Sequence, residues 1–255
     1  MTVVYSWRPM ARYLIVADIH SNLVALEAVL KDAGSVAAFE CMWVLGDIVG
    51  YGPEPAGCIA RVTTEQHVCV AGNHDLGVAG AIDLMSFNAD AARACLWTRD
   101  ILGVKEMEFL RMLPTESVEP PFLLVHGSPL DPAWEYLTSA EQVIRALNQV
   151  RVSTHCMVGH THRPAAYLVR EDGRVDTQRI QNGTELHVDY DRLLLNPGAV
   201  GQPRDGDPRA GYAIYDDSSR MVSFHRTEYD VARVSEQIRI NGLPEWFGTR
   251  LHLGY

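Results

Sequence analysis

The 255-residue chain contains no C-x-x-C pair, no internal repeat or low-complexity segment, no basic stretch and no apolar run of membrane-spanning length. Each absence excludes something. Its five cysteines (Cys41, Cys58, Cys69, Cys95, Cys156) follow no zinc or thioredoxin-like spacing. Cys41, Cys69 and Cys156 lie in or beside apolar runs, where a free thiol packs as a small hydrophobe. An odd number of cysteines fits a reducing compartment. Apolar runs such as "FLLV" (122–125) fall far short of the roughly 20 residues that span a bilayer. The start, "MTVVYSWRPMARYL", lacks the apolar core of a secretion signal. The expectation is a cytoplasmic protein with no membrane partner. A net charge of −10 speaks against long nucleic acid as a ligand. A phosphate ligand therefore needs a local source of positive charge.

What is present is alternation. "YLIVA" (13–17) reads as a buried strand, and Leu23, Leu26, Val29 and Leu30 share the face of a following helix that stops by Gly34. "CMWVLGD" (41–47), "HVCVAGNHD" (67–75), "FLLVHGS" (122–128) and "HCMVGHTH" (155–162) repeat an apolar strand with a polar tip. Helices are expected over about 55–62, 88–113 with a break near Gly103, and 139–150. From residue 164 the texture becomes mostly β, with "TELHVDYDRLLLN" (184–196) among the strand runs and a helix over about 231–240. No linker divides the chain, so residues 1–255 are expected to form one α/β domain with its polar strand tips on one edge.

Those tips carry Asp18 and His20, Asp47, Asn73 to Asp75, His126, and His160 with His162. Five of the ten histidines thus fall at successive strand ends. Imidazole with carboxylate and amide oxygen suits Mn, Fe, Zn or Ni better than Ca or Mg. So many ligands exceed one tetrahedral ion, whereas two divalent ions roughly 3.5–4 Å apart use them all. His160 and His162 then bind neighbouring ions rather than share one. His67, His155, His187, His225 and His252 fit no motif and are expected to be structural or solvated.

The ordered motifs D-x-H, G-D-x-x-G, G-N-H-D, H and G-H-x-H across residues 18–162 resemble those of the calcineurin-like metallophosphoesterases. The resemblance implies a four-layer αββα sandwich and a hydroxide bridging two ions as nucleophile. It also implies one ion on Asp18, His20, Asp47 and His162, and a second on Asp47, Asn73, His126 and His160. His74 matches the family's catalytic histidine. One departure stands out: the phosphoprotein phosphatase branch reads G-D-x-x-D-R-G, and here Gly50 and Tyr51 replace the aspartate that orients the histidine and the arginine that grips phosphate. Asp75 is a candidate orienter of His74, with an ordinary structural acid as the alternative. "NPGAVGQPRDGDP" (196–208) resembles a segment of the small bacterial and archaeal phosphodiesterases. It offers Asn196 and Arg204 as substrate-binding candidates, and Arg204 could fork onto a phosphate. Trp134 and Tyr136 either stack on a base or, the favoured reading, cover the core.

The leading expectation is a phosphodiesterase acting on a small, nucleotide-like phosphoester, with two divalent transition ions as cofactors. Dinucleoside polyphosphate hydrolysis and a non-catalytic metal-binding scaffold are the alternatives. Retention of His74 beside a full ligand set speaks against the scaffold.

Overall fold

The computed structural model describes residues 11–150, 153–170, 172–188 and 192–255. The N-terminal stretch read for a secretion signal lies, up to residue 10, outside the described residues. The first half runs β1 (Arg12–Val16), α1 (Leu23–Val36), β2 (Cys41–Leu45), α2 (Pro55–Thr64), β3 (His67–Val70), α3 (Asn73–Ala79), α4 (Ala89–Ile101) and α5 (Val104–Met112). Then come β4 (Glu116–Glu119), β5 (Phe122–Val125), α6 (Ala140–Gln149), β6 (His155–Met157), β7 (Ala165–Val169), β8 (Val175–Gln178), β9 (Glu185–His187) and β10 (Arg192–Asn196). β11 (Ala210–Asp216), β12 (Met221–Thr227), α7 (Val231–Ile240) and α8 (Glu245–Leu251) complete the order.

The strands form two six-stranded sheets, ordered β3-β2-β1-β11-β12-β9 and β4-β5-β6-β10-β7-β8. Strand alternation separates the layers. Leu14, Val16, Met42 and Val44 pack outward with α1 and α2, while Ile15, Ala17, Trp43 and Leu45 face the second sheet. On the far side, Leu123, Val125, Cys156 and Leu194 pack against Val143, Ala146 and Leu147 of α6. The result is the expected αββα sandwich. Trp43 lies at the centre of the intersheet layer, stacked on Tyr13 with ring centroids 4.3 Å apart and edge-on to Phe122.

Parallel pairing fixes where the site can be. β1, β2 and β3 run parallel, as do β5, β6 and β10, so their carboxyl ends emerge together. The site therefore draws on two sheets, not one sheet edge. Four further features depart from the sequence reading. "GNHD" is not a strand tip: β3 stops at Val70 and Asn73 to Asp75 open α3. The run 184–196 is not one strand, because β9 joins the first sheet and β10 the second. β4 and α8 were not anticipated, since "ESVE" and "EWFGTRL" are short and carry weak periodicity. All five cysteines are free and buried, Cys41, Cys69 and Cys156 as expected and Cys58 and Cys95 with them.

The indole Nε1 of Trp43 has no hydrogen-bond partner. Trp43→Ala should lower unfolding free energy by about 3–5 kcal/mol. Trp43→Phe should cost far less, because it keeps an aromatic ring and removes an unpaired N–H. Urea denaturation of both variants checks this; equal losses would contradict it.

Candidate metal centre

The candidate ligands sit on backbone that ordinary residues avoid. Asp18, His20, Asp47, His160 and His162 all have φ between 48° and 65°, as do Ser21 and Tyr51. Such left-handed conformations cost of order 1–3 kcal/mol each and persist only where surroundings over-determine them. Here backbone bonds between neighbouring turns hold them: Asp18 N–H donates to Gly46 O (3.1 Å), His20 N–H to Asp47 O (2.9 Å) and Gly201 N–H to Asp18 O (2.9 Å). The D-x-H and H-x-H segments are therefore not extended. The alternate residues converge through tight turns past the strand ends.

Two clusters result, and they share Asp47. Asp18, His20, Asp47 and His162 form one; Asp47, His126 and His160 form the other, with the offered ligand atoms of each within 4.8 Å of one another. Asp47 Oδ2 lies 3.5 Å from His20 Nε2 and 3.4 Å from His126 Nε2. Gly72 allows this carboxylate in, since a Cβ there would sit 2.1 Å from Asp47 Oδ1.

Backbone carbonyls set the imidazole tautomers. His20 Nδ1 faces Val49 O at 3.1 Å, and His162 Nδ1 faces Gln202 O at 2.6 Å. A carbonyl only accepts, so each Nδ1 carries the hydrogen and each Nε2 presents a bare lone pair. Those two Nε2 atoms stand 3.1 Å apart. In the same way His126 Nδ1 donates to Leu45 O (2.8 Å) and His160 Nε2 to Trp134 O (3.2 Å). That leaves His126 Nε2 and His160 Nδ1 facing one another at 3.0 Å. Two lone pairs at such distances repel unless a proton or a cation lies between them.

Electrostatics distinguishes the gaps. Burial disfavours charge on His126, but the Asp47 carboxylate outweighs it and pushes the imidazole up to about 9, so one proton can serve that pair. Burial drives His20 and His162 well below the ordinary imidazole value, so no proton serves theirs. Burial, with Asp47 adding to it, pushes Asp18 up to about 7 although His126 opposes it. The buried Asp18 Oδ2 and Asn73 Oδ1 have no hydrogen-bond partner. A site of bare nitrogens, orphaned oxygens and an under-compensated carboxylate fits two divalent cations.

The remaining candidates divide. His74 lines the cleft beside the clusters, its N–H donating to Asp47 Oδ1 (2.9 Å), and burial pushes its imidazole down to about 4. The Asp75 carboxylate is engaged elsewhere than on the His74 ring. Its two oxygens accept from Val49 N (3.1 Å) and Gly72 N (3.0 Å), so it caps α3 and ties the loop after β2 to it. Asn196 is buried and spent on structure, donating to Gly159 O (2.6 Å) and Thr161 Oγ1 while accepting from Gly198 N. It holds the G-H-x-H turn rather than a substrate. Arg204 lies in the cleft, its Nε without a partner. Trp134 and Tyr136 line the same cleft and are not core cover; Tyr136 stacks on His160 at 3.9 Å and is 46% exposed. Sequence reasoning did not reach Phe87 in the cleft wall or Cys95 beneath His74. No motif marks either of them.

Residues 12–220 match the calcineurin-like phosphoesterase superfamily domain, and the chain belongs to that superfamily. The uncharacterized protein MJ0912 of Methanocaldococcus jannaschii is 37% identical over 246 residues, covering 94% of this chain and 97% of that one. The crystal structure of a metallophosphoesterase from Sphaerobacter thermophilus superposes with a TM-score of 0.87 at 42% identity, covering 97% of this chain and 100% of the other. A symmetrical bis(5'-nucleosyl)-tetraphosphatase of Glaesserella parasuis is 28% identical over 136 residues, 51% of this chain and 48% of its own length. Fold and clusters together make the chain a metal-dependent phosphoric ester hydrolase. No helix among the described residues is long and apolar enough to cross a membrane.

The purified protein should hold about two divalent ions per chain after reconstitution. Asp47→Ala should disturb both, since both clusters use its carboxylate. Elemental analysis of the two proteins checks this, and wild-type metal content in the variant would refute a shared ligand.

Proposed function

We propose that the chain hydrolyses small, nucleotide-like phosphodiesters. The observation that carries this reading is the charge of the cleft. The place of the phosphatase arginine is taken by Tyr51, and among the described residues lining the cleft Arg204 is the one arginine or lysine. A monoester dianion asks for more positive charge than a diester monoanion does. Contacts on two sides fix the Arg204 side chain. One terminal nitrogen donates to Gln202 Oε1 (2.8 Å), and the guanidinium lies 5.9 Å from the centre of the Tyr51 ring. Tyr136 meets the guanidinium as well, and the Nε–H, which has no protein partner, is left for a phosphoryl oxygen.

The cleft, about 300 Å³, suits a small molecule. Phe87, Trp134 and Tyr136 form an aromatic wall, with Phe87 edge-on to both His74 (5.1 Å) and Trp134 (4.8 Å). Such a wall suits a flat base and excludes water from the reacting groups. Asp18, His20, Asp47 and His162 would hold one ion, and Asp47, Asn73, His126 and His160 the other. Ions bound there supply a water acidic enough to attack near neutral pH and neutralise charge on phosphate. His74 is assigned the role of general acid. Burial keeps it neutral, and an anionic phosphate beside it favours the imidazolium that can protonate a departing alkoxide.

The half-chain similarity to a bis(5'-nucleosyl)-tetraphosphatase supports a second reading, cleavage of a dinucleoside polyphosphate in the same cleft. A panel of aryl diesters, matching monoesters, cyclic nucleotides and dinucleoside polyphosphates, assayed with Mn²⁺, ranks the two. The expected result is a higher kcat/KM for diesters than for monoesters. Arg204→Ala should raise KM about tenfold with a smaller change in kcat, as for a group gripping the ground-state phosphate. Preference for monoesters would refute the choice of substrate.

His74→Asn should leave metal content unchanged while kcat falls roughly 10²–10⁴-fold on a diester with a poor leaving group. Normal turnover of that substrate would remove His74 from the acid role. A nitrophenyl ester does not test this, because nitrophenolate departs without a proton.

A further inference from the structure

His74 has lost the partner its relatives in the phosphatase branch use. Gly50 stands where their aspartate would be, and its α-carbon packs directly against the ring: a Cβ there would lie 2.5 Å from His74 Nδ1. Glycine offers the imidazole no polar group from that position, and a Cβ there would clash with the ring. Asp75, the other acid at hand, is committed to the backbone of Gly72 and Val49. The polar atom that does face His74 Nδ1 is Cys95 Sγ of α4, at 3.5 Å and fully buried. Around the ring, His20 (4.9 Å) and Phe87 (5.1 Å) present edges, and Tyr51 lies tilted at 4.4 Å. These contacts limit the ring's position without selecting which nitrogen points where.

We infer that the Cys95 thiol is the positioning residue of His74, standing in from α4 for the missing aspartate of the G-D-x-x-G loop. The inference rests on His74 acting as the acid. A thiol both donates and accepts weakly. Burial pushes Cys95 up to about 12, so it remains S–H at neutral pH. It can donate to Nδ1 of the neutral ring and, by turning its hydrogen away, accept from Nδ1–H of the imidazolium. In either state Nδ1 is occupied and Nε2 is left to the cleft. Unlike an aspartate, the thiol brings no negative charge to hold the imidazolium. That keeps the site free of one more anion beside an anionic substrate.

The test compares two diesters, one releasing nitrophenolate and one releasing an alkoxide, on the metal-loaded enzyme. Cys95→Ala should lower kcat on the alkoxide substrate roughly three- to tenfold more than on the nitrophenyl substrate, the scale of one modest hydrogen bond. Cys95→Ser, which keeps a donor and an acceptor, should recover most of that difference. In a His74→Asn background Cys95→Ala should have no further leaving-group-dependent effect. Unchanged metal content in each variant shows that the fold and clusters persist. Equal losses on both substrates, a loss that adds fully to that of His74→Asn, or no loss at all would overturn the inference. If His74→Asn is itself insensitive to the leaving group, the acid role fails and the inference with it. If His74→Asn is sensitive and Cys95→Ala is not, the inference alone fails.

Discussion

The structure depends on keeping the Asp47 carboxylate ionised where water scarcely reaches it. Burial opposes that charge, and the protonated His126 imidazole overrides it, holding Asp47 well below the usual carboxylate range. An unpaired buried carboxylate is among the most expensive groups a protein can contain. Much of the local architecture answers that cost. Gly72 stays bare so that the carboxylate fits, α3 begins where its first turn can offer the His74 N–H to Oδ1, and the imidazoles of His20 and His126 face Oδ2. The left-handed turns at residues 18–21 and 160–162 follow from the same demand. An extended chain leaving the sheet would carry these side chains past the carboxylate instead of around it.

The sandwich and the candidate ligand clusters were legible because both are written in local patterns. The apolar runs Leu14 to Ala17 and Met42 to Leu45 encode a sheet buried on both faces, and each ligand sits in a short motif at the end of an apolar run. What escaped the sequence is long-range. Nothing in "GNHD" says that β3 has already ended, because the glycine before Asn73 can close a strand or begin a helix. Asn196 reads as a polar group in a loop, and only the packing of β10 beside β6 shows it clamping Gly159 and Thr161. Asp75 is the same case, an acid beside a catalytic candidate whose oxygens point at backbone. Cys95 lies 21 positions from His74 and on a helix, where no spacing rule connects a thiol to an imidazole.

The C-terminal helices give Tyr51 its place. The family match ends at residue 220, and α7 and α8 lie beyond it. They pack with α4 around Val234, Ile238, Phe247 and Leu251, and Tyr51 is part of that cluster. Phe247 meets the Tyr51 ring edge-on at 4.9 Å, while His20 and His74 flank it from the cleft. An apolar lobe on one side and the cleft on the other suit an aromatic side chain at this position. A guanidinium there would have to give up its hydration against Phe247. The exchange of arginine for tyrosine and the presence of this lobe therefore belong to one packing solution.

The paired imidazoles of His20 and His162 are separated by 142 positions, and they follow strands of different sheets. Loops of that length close only at an entropic cost, which the packing of the two sheets on Trp43 and its neighbours must meet first. A chain with only one of the two sheets formed lacks at least one residue of each cluster. Metal bound there would select the completed sandwich over its precursors and add to its stability by mass action. Held between residues from two layers, ions bound there would join the sheets as a noncovalent crosslink, so the chemistry of the site would also serve the durability of the fold.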